Sequence, residues 1–432
     1  MISLLLIVVQ LVLLWRMVIR RSVTTTPTVW DRYADPLTTF SLFYLLFFML
    51  PQFYGWANSS FLVGYTGLAE HREAAFVNAQ VVLCAFLILV WAGASLVKKP
   101  NIEVTPADIE RFTVEPTRFQ LVVLGALFLA GFFSYVELGQ TLQEIDGFRS
   151  ELVKTTRGRI LTTIAFAGNF ACAAFLTLFI EKKQYARALL LIGLFGSAVA
   201  STGSRGRLMW PILIGIVVAG RFRPNLNKSV LAALGTVFVA VLVLLDQITA
   251  NIFGGRERDV DFDIGILFTK RNFDGFPNFA LIFDRSRQEP ELSRLATGAS
   301  QDFMNEFFPE ILQAGVGFGA TTPGWLFLSG GLVGLLILSA GFGITLGLFG
   351  RWHARARGRW AATTYLFAMS WYTAVGGNLV ESLDKMIAAM APGFVMWLST
   401  TKIFQSKNPR RPSRPAPAFD TENAATDRGV IA

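Results

Sequence analysis

The chain has 432 residues, 53% of them hydrophobic and 16% charged, with a net charge of +9. Soluble domains carry about 25% charged residues, and a mean hydropathy of +0.48 excludes an ordinary soluble enzyme. Apolar runs recur from end to end, so one polytopic membrane unit is expected rather than two or three soluble domains.

A hydrocarbon core of about 30 Å takes roughly 20 apolar residues per crossing helix. In chain order the runs are 2–19, 37–56, 77–97, 119–138, 160–180, 186–204, 206–221, 229–248, 322–350, 360–377 and 385–404, which predicts eleven spans. A membrane barrel would instead alternate in polarity over segments of about ten residues, and no such alternation is present. The expected fold is therefore an all-α, polytopic membrane helical bundle over residues 1–404. A large outer loop, 249–321, separates its eighth and ninth helices. The first run lacks a positively charged start and a small-residue cleavage site, so it reads as a retained helix rather than a removed signal. Residues 405–432, rich in Pro, Arg and Ala, cannot bury a core and are expected as a disordered basic cytoplasmic tail.

Cys84 and Cys172 both lie inside apolar runs and read as small buried hydrophobes. With His71 and His353 as the only histidines, neither a disulfide framework nor a zinc site is expected. No metal and no cofactor enters the reading.

Orientation follows the Lys/Arg bias of short loops. With the N-terminus outside, every connection assigned to the inside is basic. Examples are Arg16, Arg20 and Arg21; Lys98 and Lys99; Lys182, Lys183 and Arg187; Arg221 and Arg223; and Arg351 to Arg359. The C-terminus then falls in the cytoplasm, and the cytoplasmic (inner) membrane is the expected location. The basic residues mark membrane sides, and no nucleic-acid partner is expected.

Two outer loops break the bias. Residues 139–159 hold Arg149, Lys154, Arg157 and Arg159, and residues 249–321 hold Lys270, Arg271 and Arg285 among others. Long loops translocate regardless of charge, which accounts for the second but not for the first.

The tightest outer corner is "STGSRGRLMW", Ser201 to Trp210. The purely apolar part of the next span, Leu208 to Gly220, is only 13 residues, about 20 Å at 1.5 Å per residue. To cross, that span must draw Arg205 and Arg207 to the outer edge of the hydrocarbon layer. An arginine there is costly unless it is paired or faces a polar cavity. Ser201, Thr202 and Ser204 are candidates to cap the seventh span. A helix N-terminus with two guanidinium groups makes an anion site; the competing reading is that both arginines snorkel to lipid headgroups. A lipid-linked pyrophosphate would place its head at this depth and its prenyl chain in the bilayer.

An eleven-span chain with "TGSRG" at a tight outer corner resembles the oligosaccharide repeat-unit polymerases of the O-antigen polymerase type. The Gly-rich stretch 314–347, "AGVGFGATTPGWLFLSGGLVGLLILSAGFGITLG", is similar to that family's region after its large outer loop. The resemblance implies a GT-C-like architecture and a glycosyltransferase; because no paired-carboxylate metal motif stands on the outer side, stabilisation by Arg rather than by Mg²⁺ is expected. Its expected substrate is a polyprenyl-diphosphate-linked oligosaccharide, and its expected partners are a flippase and a chain-length regulator. It implicates Arg205 first and Arg207 beside it. Arg149, Arg157, Arg159, Lys270, Arg271 and Arg285 are further substrate-binding candidates. The related O-antigen ligases usually carry a functional histidine in the large loop, and residues 249–321 contain none.

Transfer from a diphospholipid breaks an anomeric C–O bond through an oxocarbenium-like state. Charge builds on the departing pyrophosphate, where fixed cations stabilise the transition state. The acceptor hydroxyl must also lose its proton. Asp274 and Glu306 are the leading base candidates, with Asp284, Asp302, Glu381 and Asp384 behind them; each also reads as an ordinary loop carboxylate.

The apolar pieces of Ile264 to Phe283 are too short to cross and fit interfacial or re-entrant segments. From Phe303 to Leu312 the apolar residues share one helical face and read as a lid packed on the bilayer. The ninth run is longer than a crossing needs and rich in glycine; Gly343 and Gly347 have small-xxx-small spacing, so close helix packing is expected, and a tilted helix or a break bordering a cavity would also absorb the extra length. A transporter or flippase also fits eleven spans. Such proteins place ionisable groups near the midplane or use broken helices, whereas Gln80, Gln120 and Asn169 are the notable polar interruptions here. A scaffold role leaves the outer arginines without use.

Overall fold

Backbone inside a hydrocarbon layer must satisfy its N–H and C=O groups internally, and the described residues form helices and no strand. The computed structural model describes residues 2–22, 34–57, 72–98, 115–144, 155–202, 206–222, 275–288, 321–356, 358–373 and 383–399. The helices are α1 (Ile2–Ser22), α2 (Pro36–Ala57), α3 (Arg72–Leu96), α4 (Arg118–Glu144), α5 (Thr156–Glu181) and α6 (Tyr185–Ala200). They continue with α7 (Gly206–Phe222), α8 (Gly275–Gln288), α9 (Thr322–Leu328), α10 (Gly331–Arg355), α11 (Arg359–Thr373) and α12 (Leu383–Ser399).

Among the described residues, five stretches are long and apolar enough to cross a membrane: Pro36–Ala57, Ala74–Leu96, Arg118–Leu142, Thr156–Glu181 and Gly331–Arg355. Shorter apolar helices lie in α1, α6, α7 and α12. Each expected run falls wholly or largely on one of the twelve helices except 229–248, which lies outside the described residues, as does the tail 405–432.

Local chemistry sets the helix starts. Asp35 caps α2, its Oδ2 accepting from the Thr38 N–H at 3.1 Å, with Pro36 at the first helical position. Thr117 and Gln120 form a capping box at the head of α4. The Thr117 hydroxyl accepts from the Gln120 N–H at 3.2 Å, and Gln120 Oε1 accepts from the Thr117 N–H at 3.0 Å. Thr155 caps α5 through the Gly158 N–H at 3.0 Å.

Packing divides into three joined clusters. In the first, α1, α2, α3 and α10 pack with the two short helices α8 and α9 around Phe40, Tyr44, Phe86, Phe279 and Phe342. In the second, α4 to α7 pack around Tyr135, Leu176, Phe195 and Leu208. In the third, α5 and α7 pack on α11 and α12 through Phe170, Tyr365 and Phe367. Apolar side chains that stand outward, such as Val122 and Phe133 on α4 or Val333 and Ile337 on α10, give the exterior the character expected against lipid.

The long ninth run is broken rather than merely tilted. α9 ends at Leu328, Ser329 and Gly330 turn the chain, and α10 begins at Gly331 with φ +61°, a left-handed conformation that favours glycine. α2 carries a second irregularity, a π-helical turn over Leu45–Met49.

The first cluster joins Gln80, one of the polar interruptions of the apolar runs, to three further polar groups. Gln10 on α1 and Gln52 on α2 exchange amide hydrogen bonds at 2.9 and 3.1 Å. The Tyr44 hydroxyl donates to Gln10 Oε1 at 2.8 Å, and Gln80 of α3 donates to Gln52 Oε1 at 3.1 Å. All four residues are fully buried. Hydrogen bonds of this kind tie helices together where water cannot compete.

Candidate functional site

The helix ends fall into two groups. At one end, here the far end, Lys182 pairs with Glu115 at 3.1 Å and Gln120 Nε2 donates to Ser399 Oγ at 2.7 Å. There Arg351 Nε donates to the Lys98 carbonyl at 3.1 Å, and the Arg221 guanidinium donates to the carbonyls of His353 and Ala356, both at 3.4 Å. Arg359 Nη2 meets Glu181 Oε2 at 2.5 Å, with both side chains nearly buried. The opposite, corner end holds the α6–α7 connection, the last turns of α4 and the first turn of α5.

The corner is built from α4. Gly139 lies so close to Ser201 that a Cβ there would stand 2.2 Å from the serine hydroxyl. Ser201 Oγ donates to the Ala198 carbonyl at 2.7 Å and to the Tyr135 carbonyl at 3.2 Å. Thr202 Oγ1 donates to the Val199 carbonyl at 2.8 Å and is buried. These two hydroxyls therefore close α6 backward. The described part of α7 begins at Gly206, and the connection 203–205, where a cap on α7 would be made, lies outside the described residues. Ser204 lies outside the described residues.

Glu137, two residues before Gly139, accepts from Arg157 Nε at 3.1 Å and also contacts Arg157 Nη2. This pair is exposed, the arginine side chain to 75% and the glutamate to 39%. Arg159, also exposed, follows in the first turn of α5. Arg157, Arg159 and the corner are thus brought to one end by α4 and α5. Arg207 stands in the first turn of α7 at that same end.

The described helix ends there are stepped. α5 and α7 run parallel. Gly215 lies against Ala173 and Leu176, and the Thr177 hydroxyl reaches the Gly215 carbonyl at 3.3 Å. Gly206, nine positions earlier, is therefore level with the neighbourhood of Phe166, about 15 Å below the start of α5 at 1.5 Å per residue. The last described residues of α11 reach the same level: Trp371 meets the Phe166 ring at 5.3 Å. The first described residue of α7, Gly206, therefore lies lower than the first turn of α5, which carries Arg157.

The remaining expected site residues separate into two kinds. Arg285 lies in the last turn of α8, in the first cluster, whereas the other placed arginines stand on α5 and α7. Asp284 is half-buried on α8, and Asp384 lies in the first turn of α12. Arg205, Arg149, Lys270, Arg271, Asp274, Glu306, Asp302 and Glu381 lie outside the described residues. The loops expected to bound a cavity, and the lid at 303–312, lie outside them as well. Among the described residues no group of three or more His, Cys, Asp or Glu could hold a metal ion.

Of the stretch Ile264 to Phe283, only residues 275–283, the first part of α8, lie among the described residues. Its residues Phe276, Phe279, Ala280, Leu281, Ile282 and Phe283 are all buried, against Phe76 of α3 at 4.9 Å and Phe327 of α9 at 5.1 Å between ring centroids. Residues 275–283 of this short helix are thus packed inside the first cluster.

No family model, no curated protein and no solved structure matches this chain.

Proposed function

We propose that this chain is a membrane polymerase that joins lipid-diphosphate-linked oligosaccharide repeat units at the outer face of the cytoplasmic membrane. In this reading the bundle has eleven spans and the corner end faces outward. The observation that carries the proposal is the step at that end, which sets Gly206, the first described residue of α7, about 15 Å below the start of α5 and places Arg157 and Arg159 above it. A diphosphate at the low step, held by Arg205 and Arg207, would keep its prenyl chain in the bilayer. Its sugars would rise past Arg157 and Arg159.

The reaction would transfer a glycan from one lipid diphosphate to a hydroxyl of a second glycan. The acceptor oxygen attacks the anomeric carbon, and the anomeric C–O bond to the diphosphate breaks. The acceptor proton passes to a carboxylate, for which Asp274 and Glu306 are nominated. Negative charge collects on the departing diphosphate, where arginine is better matched than lysine because its planar fork meets two oxygens at once.

A glycolipid transporter is the second reading. It is favoured by the buried cluster of Gln10, Gln52 and Gln80 and by the broken α9–α10 pair, features such proteins use. Purified protein reconstituted with lipid-linked oligosaccharide alone separates the two: lengthened product supports the polymerase, and translocation without lengthening supports the transporter.

The residue-level test is Arg205. Arg205→Lys and Arg205→Ala are both expected to shorten or abolish the polymer at unchanged membrane abundance. One lost charge-assisted hydrogen bond at roughly 1.5–3 kcal/mol predicts a fall of about tenfold or more for alanine. Wild-type chain lengths from an equally abundant Arg205→Ala variant remove the role.

A further inference from the structure

The π-helical turn of α2 lies against the first residue of α8. A Cβ on Gly275 would stand 2.7 Å from the Phe47 carbonyl oxygen, 3.0 Å from Phe47 Cβ and 3.2 Å from the Phe48 ring. Leu50, at the end of the turn, donates back to the Leu45 carbonyl, five residues away. Pro51 follows directly and has no N–H to offer the Phe47 carbonyl in an α-helical register. The turn is held from both sides: Tyr44 just before it and Gln52 just after it both bond Gln10. On the other flank of α8, Gly324 of α9 lies close enough that a Cβ there would come within 2.8 Å of Ile282.

Single π-turns inside α-helices are rare and concentrate at functional sites. Here the irregular backbone does a specific job. A regular helix would carry Phe47 and Phe48 past α8 on a different rotation, whereas the wider turn presents the Phe47 carbonyl and its flanking rings to a residue without a side chain. We infer that the π-turn of α2 is the seat that fixes α8, and that Gly275 is its positioning residue. Any part in catalysis rests on the polymerase reading, since α8 belongs to the long loop that supplies that reading's base candidates. The seat itself does not.

The test uses the full chain in membranes, with Cys84 and Cys172 replaced by alanine and Ala280→Cys as the reporter. Ala280 is fully buried on α8, so a membrane-impermeant maleimide should label it slowly. Gly275→Ala is expected to raise labelling at least about tenfold, the scale set by overpacking a close contact. Pro51→Ala, which restores an N–H beside the turn, should move labelling in the same direction and serves if Gly275→Ala fails to accumulate. Gly193→Ala, where a Cβ meets nothing within 4 Å, should leave labelling unchanged. Polymer length is read in parallel. Faster labelling with shortened polymer supports both the seat and its positioning role. Unchanged labelling in both variants overturns the seat, and faster labelling with wild-type chain lengths overturns the positioning role. If the unsubstituted protein makes no polymer, the polymerase reading falls while labelling still decides the seat.

Discussion

The two ends of the bundle use arginine in opposite ways. At the far end Arg359 is nearly buried against Glu181, and Arg221 is directed at the carbonyls that close α10. At the corner end Arg157 is three-quarters exposed with a half-open glutamate beside it, and Arg159 is exposed. Both ends carry basic residues of the kind that mark membrane sides, so the Lys/Arg count alone does not tell them apart. Burial does. A charge enclosed among helix ends holds the bundle together, because removing its partner strands it in a poor dielectric. A charge standing above a step in the helix ends remains in position to meet a ligand.

The largest expected effect is therefore at the far end. Arg359→Ala takes the Arg359 guanidinium away from the buried Glu181, and breaking a buried pair costs about 3–5 kcal/mol in comparable cases. We expect a marked fall in the melting temperature of the purified protein and low membrane abundance. A double Glu181→Gln, Arg359→Gln variant removes both charges and should recover part of the loss. Equal damage in the single and double variants would break the contrast, since it would mean that shape rather than charge holds this joint.

A smaller effect is expected at Gln120. Its side chain completes the capping box with Thr117 and also donates to Ser399 at 2.7 Å. Gln120→Ala should lower stability by about 1 kcal/mol, the scale of a lost cap, with polymer lengths unchanged. A fall in activity at full stability would assign the far end a functional role as well.

Much of this was legible in the chain and some was not, for physical reasons. Apolar runs announce helices because the bilayer demands length and apolarity together; Gln120 read only as a polar interruption, whereas it completes a capping box with Thr117. The extra length of the ninth run pointed to a break among its alternatives, and Gly330–Gly331 is where the break falls. The Glu181–Arg359 pair spans 178 positions, and no local pattern carries so long a separation; Arg359 read only as a mark of the inner side. Gln10 and Gln52 were overlooked because a lone amide in an apolar run has no period to reveal its partner. Ser201 and Thr202 read only as caps for the span ahead, whereas their hydroxyls donate back to α6, because a hydroxyl between two helices can serve either one. The π-turn left no trace beyond Pro51. At the candidate site the grouping of Arg157, Arg159 and Arg207 at one end agrees with the order of the spans, while the step beneath them comes from tertiary packing.

The smallest effect on stability, and the sharpest use of the comparison, is expected at Arg157. An exposed ion pair contributes about 0–1 kcal/mol, so Arg157→Ala should melt within that margin of the unsubstituted protein. If Arg157 only braces α5 against α4, Glu137→Gln removes the same brace, and the two variants should behave alike in every assay. If Arg157 contacts the glycan above the step, they should diverge. Arg157→Ala then shortens the polymer, whereas Glu137→Gln keeps or lengthens it, because the guanidinium no longer shares its donors with a neighbouring carboxylate. Melting temperature, membrane abundance and polymer-length distribution, measured together, decide the matter. Identical polymer profiles for the two variants would move Arg157 into the class of Arg359, a residue that joins helices, and the corner would then rest on Arg205, Arg207 and Arg159 alone.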